Sequence, residues 1–132
     1  MILVDSSVLI DALHDRDTLQ MRRLKELLIA EQDIAIGDLM IVEVLQGTRS
    51  HRAFDEARTY LSIFSYLPIA DRNVAEQAAR HYRALRERGI TIRKTIDTLI
   101  ATRCIVDSIP LLYADRDFDP FVAHLGLRSA MA

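Results

Sequence analysis

The stretch Ile2-Leu3-Val4-Asp5-Ser6-Ser7-Val8-Leu9 decides how the rest of the chain is read. Three consecutive apolar residues running into Asp5 make a short buried strand over residues 2–5. Either serine that follows supplies a hydroxyl for the free amides of a first helical turn. Val8, Leu9, Ala12 and Leu13 then recur at helical spacing. Outward from this unit the alternation repeats. A second helix starts near Thr18 and runs to about Glu31, with Leu24, Leu27 and Leu28 facing inward. Ile34-Ala35-Ile36 reads as a strand, and Asp38 as the cap of a helix over 39–46 that Gly47 stops. A helix over 51–64 carries Phe54, Ala57, Leu61 and Phe64 on one side, and residues 66–69 are extended. Asp71 caps a long helix that reaches Arg88 and ends at Gly89. A helix over 95–107, a strand over 111–113, a short helix and a last strand near 125–127 complete the pattern. Short strands separated by helices predict an α/β fold, a short-stranded and mainly parallel sheet with helices on both faces. One domain over residues 1–132 is expected.

Composition narrows the function classes. Half of the 132 residues are apolar and 27% are charged, a globular balance. One cysteine, Cys104, excludes an intrachain disulfide framework and any multi-cysteine metal site. No apolar run approaches the ~18 residues of a membrane span, and Asp5 interrupts the opening apolar residues too soon for a signal peptide. A cytoplasmic protein with no membrane partner is expected. The net charge of −2 gives no general attraction to nucleic acid, but its distribution is uneven. Residues 71–94 carry seven Lys/Arg (Arg72, Arg80, Arg83, Arg86, Arg88, Arg93, Lys94) against three acids (Asp71, Glu76, Glu87). The rest of the chain is anionic.

Several acids sit where acids are rare. Glu43 is the only charge in Leu39-Met40-Ile41-Val42-Glu43-Val44-Leu45, and Leu39, Met40 and Val44 surround its direction on a helix. Asp97 opens a helix and shares its face with Ile100, Ala101 and Cys104. Asp5 ends the first strand, and Asp115 follows the strand at Leu111 with Asp117 two residues on. Taken singly, each has an ordinary explanation. Asp5 can cap a helix, Asp97 can answer a helix dipole, Glu43 can pair with an arginine, Asp115 can make a turn, and Asp117 can cap the helix before Phe118. Taken together they have one. Ligand sites of parallel sheets lie at the carboxyl ends of strands, and a cluster of carboxylates there is relieved by a divalent cation. All-oxygen donors suit Mg²⁺ or Mn²⁺ rather than zinc.

Val4-Asp5-Ser6-Ser7, Val42-Glu43-Val44-Leu45-Gln46-Gly47, Asp97-Thr98-Leu99-Ile100-Ala101 and Ala114-Asp115-Arg116-Asp117-Phe118 stand in an order and spacing that resemble the PIN-domain ribonucleases, above all the VapC toxins of bacterial toxin–antitoxin pairs. The resemblance implies a PIN-like fold and a Mg²⁺- or Mn²⁺-dependent endoribonuclease that hydrolyses RNA to a 5′-phosphate and a 3′-hydroxyl. It implies Asp5, Glu43, Asp97 and Asp115 as the catalytic, metal-holding acids, with Ser7 and Asp117 in support. It also implies a VapB-like antitoxin, a homodimer that can enter a larger toxin–antitoxin assembly, and transfer RNA ahead of ribosomal or messenger RNA as substrate. The basic segment would then face RNA through Arg86, Arg88, Arg93 and Lys94, which lead directly into Asp97; its ordinary alternative is a solvated helix face. An antitoxin tail is expected to aim an arginine at the acids and to rest apolar anchors on the second and fourth helices, between residues 18 and 64.

Two other functions stay open on the residues alone. A metal-free ribonuclease would use histidines as acid and base, although His14, His51, His81 and His124 show no metal-ligand spacing and His81 reads as a surface position. A regulatory binding module would keep the acids only to hold a partner's arginines.

Overall fold

The computed structural model describes residues 1–131. Four short strands, β1 (Ile2–Val4), β2 (Ile34–Ile36), β3 (Ser65–Tyr66) and β4 (Leu111–Leu112), form a sheet in the order β3-β2-β1-β4. Every pairing is parallel, with Leu3 opposite Ala35 on one side and Leu111 on the other. Parallel strands need long crossovers, and the first six of the seven helices in the described residues supply them. The seven are α1 (Ser6–Leu13), α2 (Leu19–Ile29), α3 (Asp38–Gln46), α4 (His51–Leu61), α5 (Arg72–Glu87), α6 (Thr95–Val106) and α7 (Asp119–Leu125).

The chain steps outward from β1 to β2 to β3 through α1–α4, then returns past β1 to β4 through α5 and α6. Right-handed crossovers that travel in opposite directions place their helices on opposite faces of the sheet. The packing agrees: α1 meets α2 and α3, and α3 meets α4, whereas α5 packs on α6 and α7. Between the layers, Leu3, Val4, Ala35, Leu111 and Leu112 are fully buried, as are Phe118 and Phe121. The direction of travel reverses between β1 and β4. Their carboxyl ends therefore bound the crevice in which sheets of this kind place their ligands.

Four helices are capped by a side chain, and in the first of them Asp5 takes the place expected of Ser6 or Ser7, which both lie inside α1. Asp5, Thr18, Ser50 and Asp71 each accept a backbone N–H in the first turn of α1, α2, α4 and α5. Asp38 departs from the expectation: Gly37 holds the cap position, and Asp38 is the first residue of α3. Its carboxylate accepts from the Leu39 and Ile69 amides, which clasps the segment after β3 onto α3. The helix expected over 51–64 stops at Leu61, because Ser62 donates back to the Thr59 carbonyl and the chain must turn into β3. Phe64 is still buried, while Phe54 and Leu28, both expected inward, are exposed. β3 pairs through Ser65 and Tyr66, and Leu67 of the segment expected to be extended at 66–69 still donates to the Ile36 carbonyl. No strand forms over 125–127. Leu125 ends α7, Gly126 takes the left-handed conformation that ends it (φ 82°), and the sheet gains only a bridge from Leu111 to Ser129.

Gly37 carries a sharper constraint. A methyl group on its Cα would lie 2.4 Å from Ile69 Cγ1 and 2.6 Å from the Leu67 carbonyl oxygen, and the backbone cannot give way as a side-chain tip can. Gly37→Ala is expected to destabilise the fold by about 1–3 kcal/mol through overpacking. Urea unfolding measures it; a midpoint unchanged from the wild type would mean that the segment after β3 packs more loosely than described.

Candidate active site

Asp5 stands at the carboxyl end of β1 and begins α1, so one carboxylate does two tasks. Its Oδ2 accepts from the Ser7 amide at 3.1 Å and from the Ser7 hydroxyl at 2.5 Å. The Ser7 hydroxyl in turn accepts from the Ala114 amide at 3.1 Å. The Asp5 amide donates to the Leu112 carbonyl. Ser7 thus ties the ends of β1 and β4 together across the crevice. The other Asp5 oxygen, Oδ1, is buried without a hydrogen-bond partner. Burial pushes the Asp5 carboxyl up to about 6, against the two Ser7 hydrogen bonds, and the charge of Glu43 adds to the rise.

Asp97 enters from the first turn of α6, whose inward face of Ile100, Ala101 and Cys104 is buried. Its carboxylate is 3% exposed as a residue, and its Oδ2 also lacks a hydrogen-bond partner. This group is raised to about 7, chiefly by burial and next by the charge of Asp5, with Lys94 working in the opposite direction. Asp115 follows β4. Its Oδ1 accepts from the Asp117 amide and caps the single 3₁₀ turn Arg116–Phe118, which the fully buried Phe118 ring pins in place. The expectation that Asp117 would be the cap is therefore corrected, since Asp117 lies inside the turn and the residue two before it caps. For Asp115, burial acts to raise the carboxyl, but the Asp117 amide and the Lys94 ammonium outweigh it and hold the group below the usual carboxylate range.

Asp97, Asp115 and Asp117 each bring a carboxylate oxygen within 4.8 Å of the other two. Glu43, on α3, is half-buried and accepts from the Ser6 hydroxyl at 3.1 Å, which turns it toward α1. It meets no arginine among the described ion pairs. The five acids thus gather at one end of the sheet, although the closest trio includes Asp117 and not Asp5 or Glu43.

A model of the PIN domain matches residues 2–121. The chain belongs to the PIN-domain family. Within it, the chain is 27% identical over 131 residues to ribonuclease VapC11 of Mycobacterium tuberculosis, covering 98% of both. Solved structures share the fold of this PIN domain. A chain of VapBC2 from Rickettsia felis, bound to a DNA fragment from its promoter, aligns over 98% of this chain and 97% of that one with a TM-score of 0.77 at 19% identity. A toxin–antitoxin complex from Klebsiella pneumoniae aligns over 98% of each chain with a TM-score of 0.67 at 23% identity.

The basic residues of the PIN domain divide differently from expectation. Lys94 and Arg93 turn toward the acids: Lys94 Nζ lies 2.9 Å from Asp115 Oδ2 and 4.0 Å from Asp97 Oδ2, and Arg93 lies 3.5 Å from Asp117. Arg86 lies over the Tyr82 ring, 5.7 Å from its centroid, and Arg88 is exposed at the end of α5. His81 is half-buried with Nδ1 2.9 Å from the Thr102 hydroxyl, which replaces the surface position expected for it by a link from α5 to α6. Cys104 is buried and free. Among the described residues no helix is long and apolar enough to cross a membrane.

Two residues that the sequence offers only as helix caps take other partners. Ser6 holds Glu43, and Asp38 clasps the segment that follows β3; only the Ser6-Ser7 pair after Asp5 offered a signal, because one hydroxyl suffices for a cap.

The raised carboxyls have a direct consequence for stability. Asp5 and Asp97 hold their protons more tightly folded than unfolded, so the stability they contribute is full below pH 4 and is lost as pH rises through 6 to 7. In the absence of divalent cations the Tm is expected to fall between pH 5 and pH 8, and Asp97→Asn to recover roughly 3–8 °C at pH 8. Thermal scans in chelator measure both; a Tm that rises across this window, with Asp97→Asn lower throughout, would contradict the burial of unpaired charge.

Proposed function

We propose that this chain is a VapC-type toxin, a divalent-metal-dependent endoribonuclease that works in the cytoplasm and is held in check by an antitoxin. The observation that carries the reading is the pair of buried carboxylate oxygens, Asp5 Oδ1 and Asp97 Oδ2, that lack a hydrogen-bond partner beside Asp115 and Asp117. A protein leaves such groups unsatisfied at a cost, and a hard cation repays it. The name of the mycobacterial relative supports ribonuclease chemistry, and the Klebsiella complex supports an antitoxin partner.

Asp5, Glu43, Asp97 and Asp115 would hold the cation, Mg²⁺ or Mn²⁺, with Asp117 completing the trio on the α6 side. When bound, the cation supplies positive charge against the phosphodiester and its leaving oxygen and makes a nearby water more acidic. The chain's own residues do the rest. Ser7 fixes one Asp5 oxygen so that the other faces the crevice, and Ser6 orients Glu43. Phe118 anchors the turn that presents Asp115 and Asp117. Arg86 and Arg88 offer charge to RNA phosphates along the approach from α5, with Arg93 and Lys94 at the lip of the crevice. Hydrolysis in line leaves a 5′-phosphate and a 3′-hydroxyl, and transfer RNA is the favoured substrate.

An antitoxin arginine fits the same carboxylates as a two-pronged partner. Its apolar flank would rest on a groove lined by Met21, Leu24, Leu28 and Tyr60, or on the neighbouring one lined by Ile10, Leu13, Val44 and Ala57. A homodimer is part of the same proposal.

Purified protein incubated with transfer RNA, ribosomal RNA and messenger RNA is expected to cleave with Mg²⁺ or Mn²⁺, to stop in EDTA, and to leave 5′-phosphate ends. Loss of a residue that only hydrogen-bonds a metal ligand costs about 10–100-fold, so Asp97→Asn, which alters a ligand itself, is expected to lower the rate by more than about 100-fold while remaining folded. Full activity of that variant, or cyclic-phosphate ends formed in EDTA, would refute the reading. Replacing Arg86 and Arg88 together by Gln is expected to weaken RNA binding and to reduce its salt slope by about two. An unchanged slope would mean that RNA approaches from another side.

A further inference from the structure

Lysine is an unfavourable choice for the residue that precedes α6. Four other helices begin on an Asp, Thr or Ser whose oxygen accepts a free amide, whereas Lys94 stands at the cap position of α6 and gives no side-chain cap. Lysine has no acceptor to offer there, and its charge lies at the positive end of the helix dipole. Departures from local rules of this kind collect at functional sites. What offsets the departure is visible in the crevice. The Lys94 ammonium lies 2.9 Å from Asp115 Oδ2 and 4.0 Å from Asp97 Oδ2, and the side chain is 53% exposed. It reaches the acids from the solvent side, on a flexible four-carbon stem.

Asp97 and Asp115 are two of the acids assigned above to a divalent cation, and the inference rests on that reading. An ammonium and a divalent cation cannot share the space between them, because both seek the same oxygens and repel one another. We propose that Lys94 is a tethered counter-ion: it keeps the place of the divalent cation between Asp97 and Asp115, and must swing out before that cation can bind. Three features make this workable. The pair is half in water, so breaking it is easy. The lysine's main chain is fixed by the start of α6, so the ammonium cannot leave the site altogether. The freed ammonium then stands at the lip of the crevice, where an RNA phosphate arrives. The residue thus neutralises the crevice when the cation is absent and adds substrate charge when it is present. Arg93, 3.5 Å from Asp117 and 80% exposed, is too loosely held to serve in its place.

Calorimetric titration of Mn²⁺ into metal-stripped protein at pH 8, without RNA, reads this directly. Lys94→Met keeps the stem and removes the charge, and is expected to bind Mn²⁺ about fivefold more tightly or better, the worth of one unit charge at 4 Å in water. Lys94→Arg restores a tethered cation and is expected to return the affinity to that of the wild type. Tighter binding by the Met variant with reversal by the Arg variant supports the proposal. Equal or weaker binding by Lys94→Met, with the wild type binding Mn²⁺ normally, overturns it and leaves the metal reading standing. Failure of the wild type to bind Mn²⁺ overturns the metal reading and this inference together.

Discussion

The Ser7 hydroxyl is the joint on which the crevice hangs. It donates to Asp5 at the end of β1 and accepts from Ala114 just beyond β4, so one side chain fixes both strand ends and the first acid between them. With one Asp5 oxygen engaged in this way, the other is left facing a place that water scarcely reaches. Asp97 arrives at that place from a separate helix, already buried on its apolar side. One oxygen on each of two carboxylates is left without a hydrogen bond, and their raised proton affinity follows from burial more than from repulsion between charges.

The surrounding fold can be understood as the means of bringing these groups together. The sheet reverses its direction of growth between β1 and β4, which opens the crevice at their carboxyl ends. Helices α1 and α3 deliver Asp5 and Glu43 from one face, and α6 delivers Asp97 from the other. The turn after β4 carries Asp115 and Asp117, and Phe118 in the core prevents that turn from shifting. A charged cluster is tolerated here because its supports are apolar and rigid, not because its members satisfy one another.

Much of this was legible in the sequence because the acids break a pattern. Glu43 within an apolar helix face and Asp97 before Ile100 and Ala101 can be picked out by anyone counting helical positions, and Asp5 and Asp115 by anyone marking strand ends. The α/β alternation was equally plain, since apolar triplets and helical spacing differ in period. What was not legible depends on directions and partners far apart in the chain. Lys94 reads as one more cation in a basic segment; only the start of α6 shows that it points back at Asp115. The bond from Ser6 to Glu43 spans 37 residues, and that from His81 to Thr102 joins two helices, so neither leaves a local mark. The tail misled for a simpler reason. Leu125-Gly126-Leu127 has strand-like composition, but the left-handed Gly126 ends a helix there and leaves Leu127 to cover the core.

A cation bound at Asp5 Oδ1 and Asp97 Oδ2 would give these two buried oxygens the partner that no hydrogen bond supplies. The most direct measurement is anomalous diffraction from crystals of the protein soaked in Mn²⁺. A peak within bonding distance of Asp97 and Asp5 is expected, with the Lys94 ammonium displaced from Asp115. A Mn²⁺ peak elsewhere on the surface, or none at all with Lys94 still seated between Asp97 and Asp115, would contradict it.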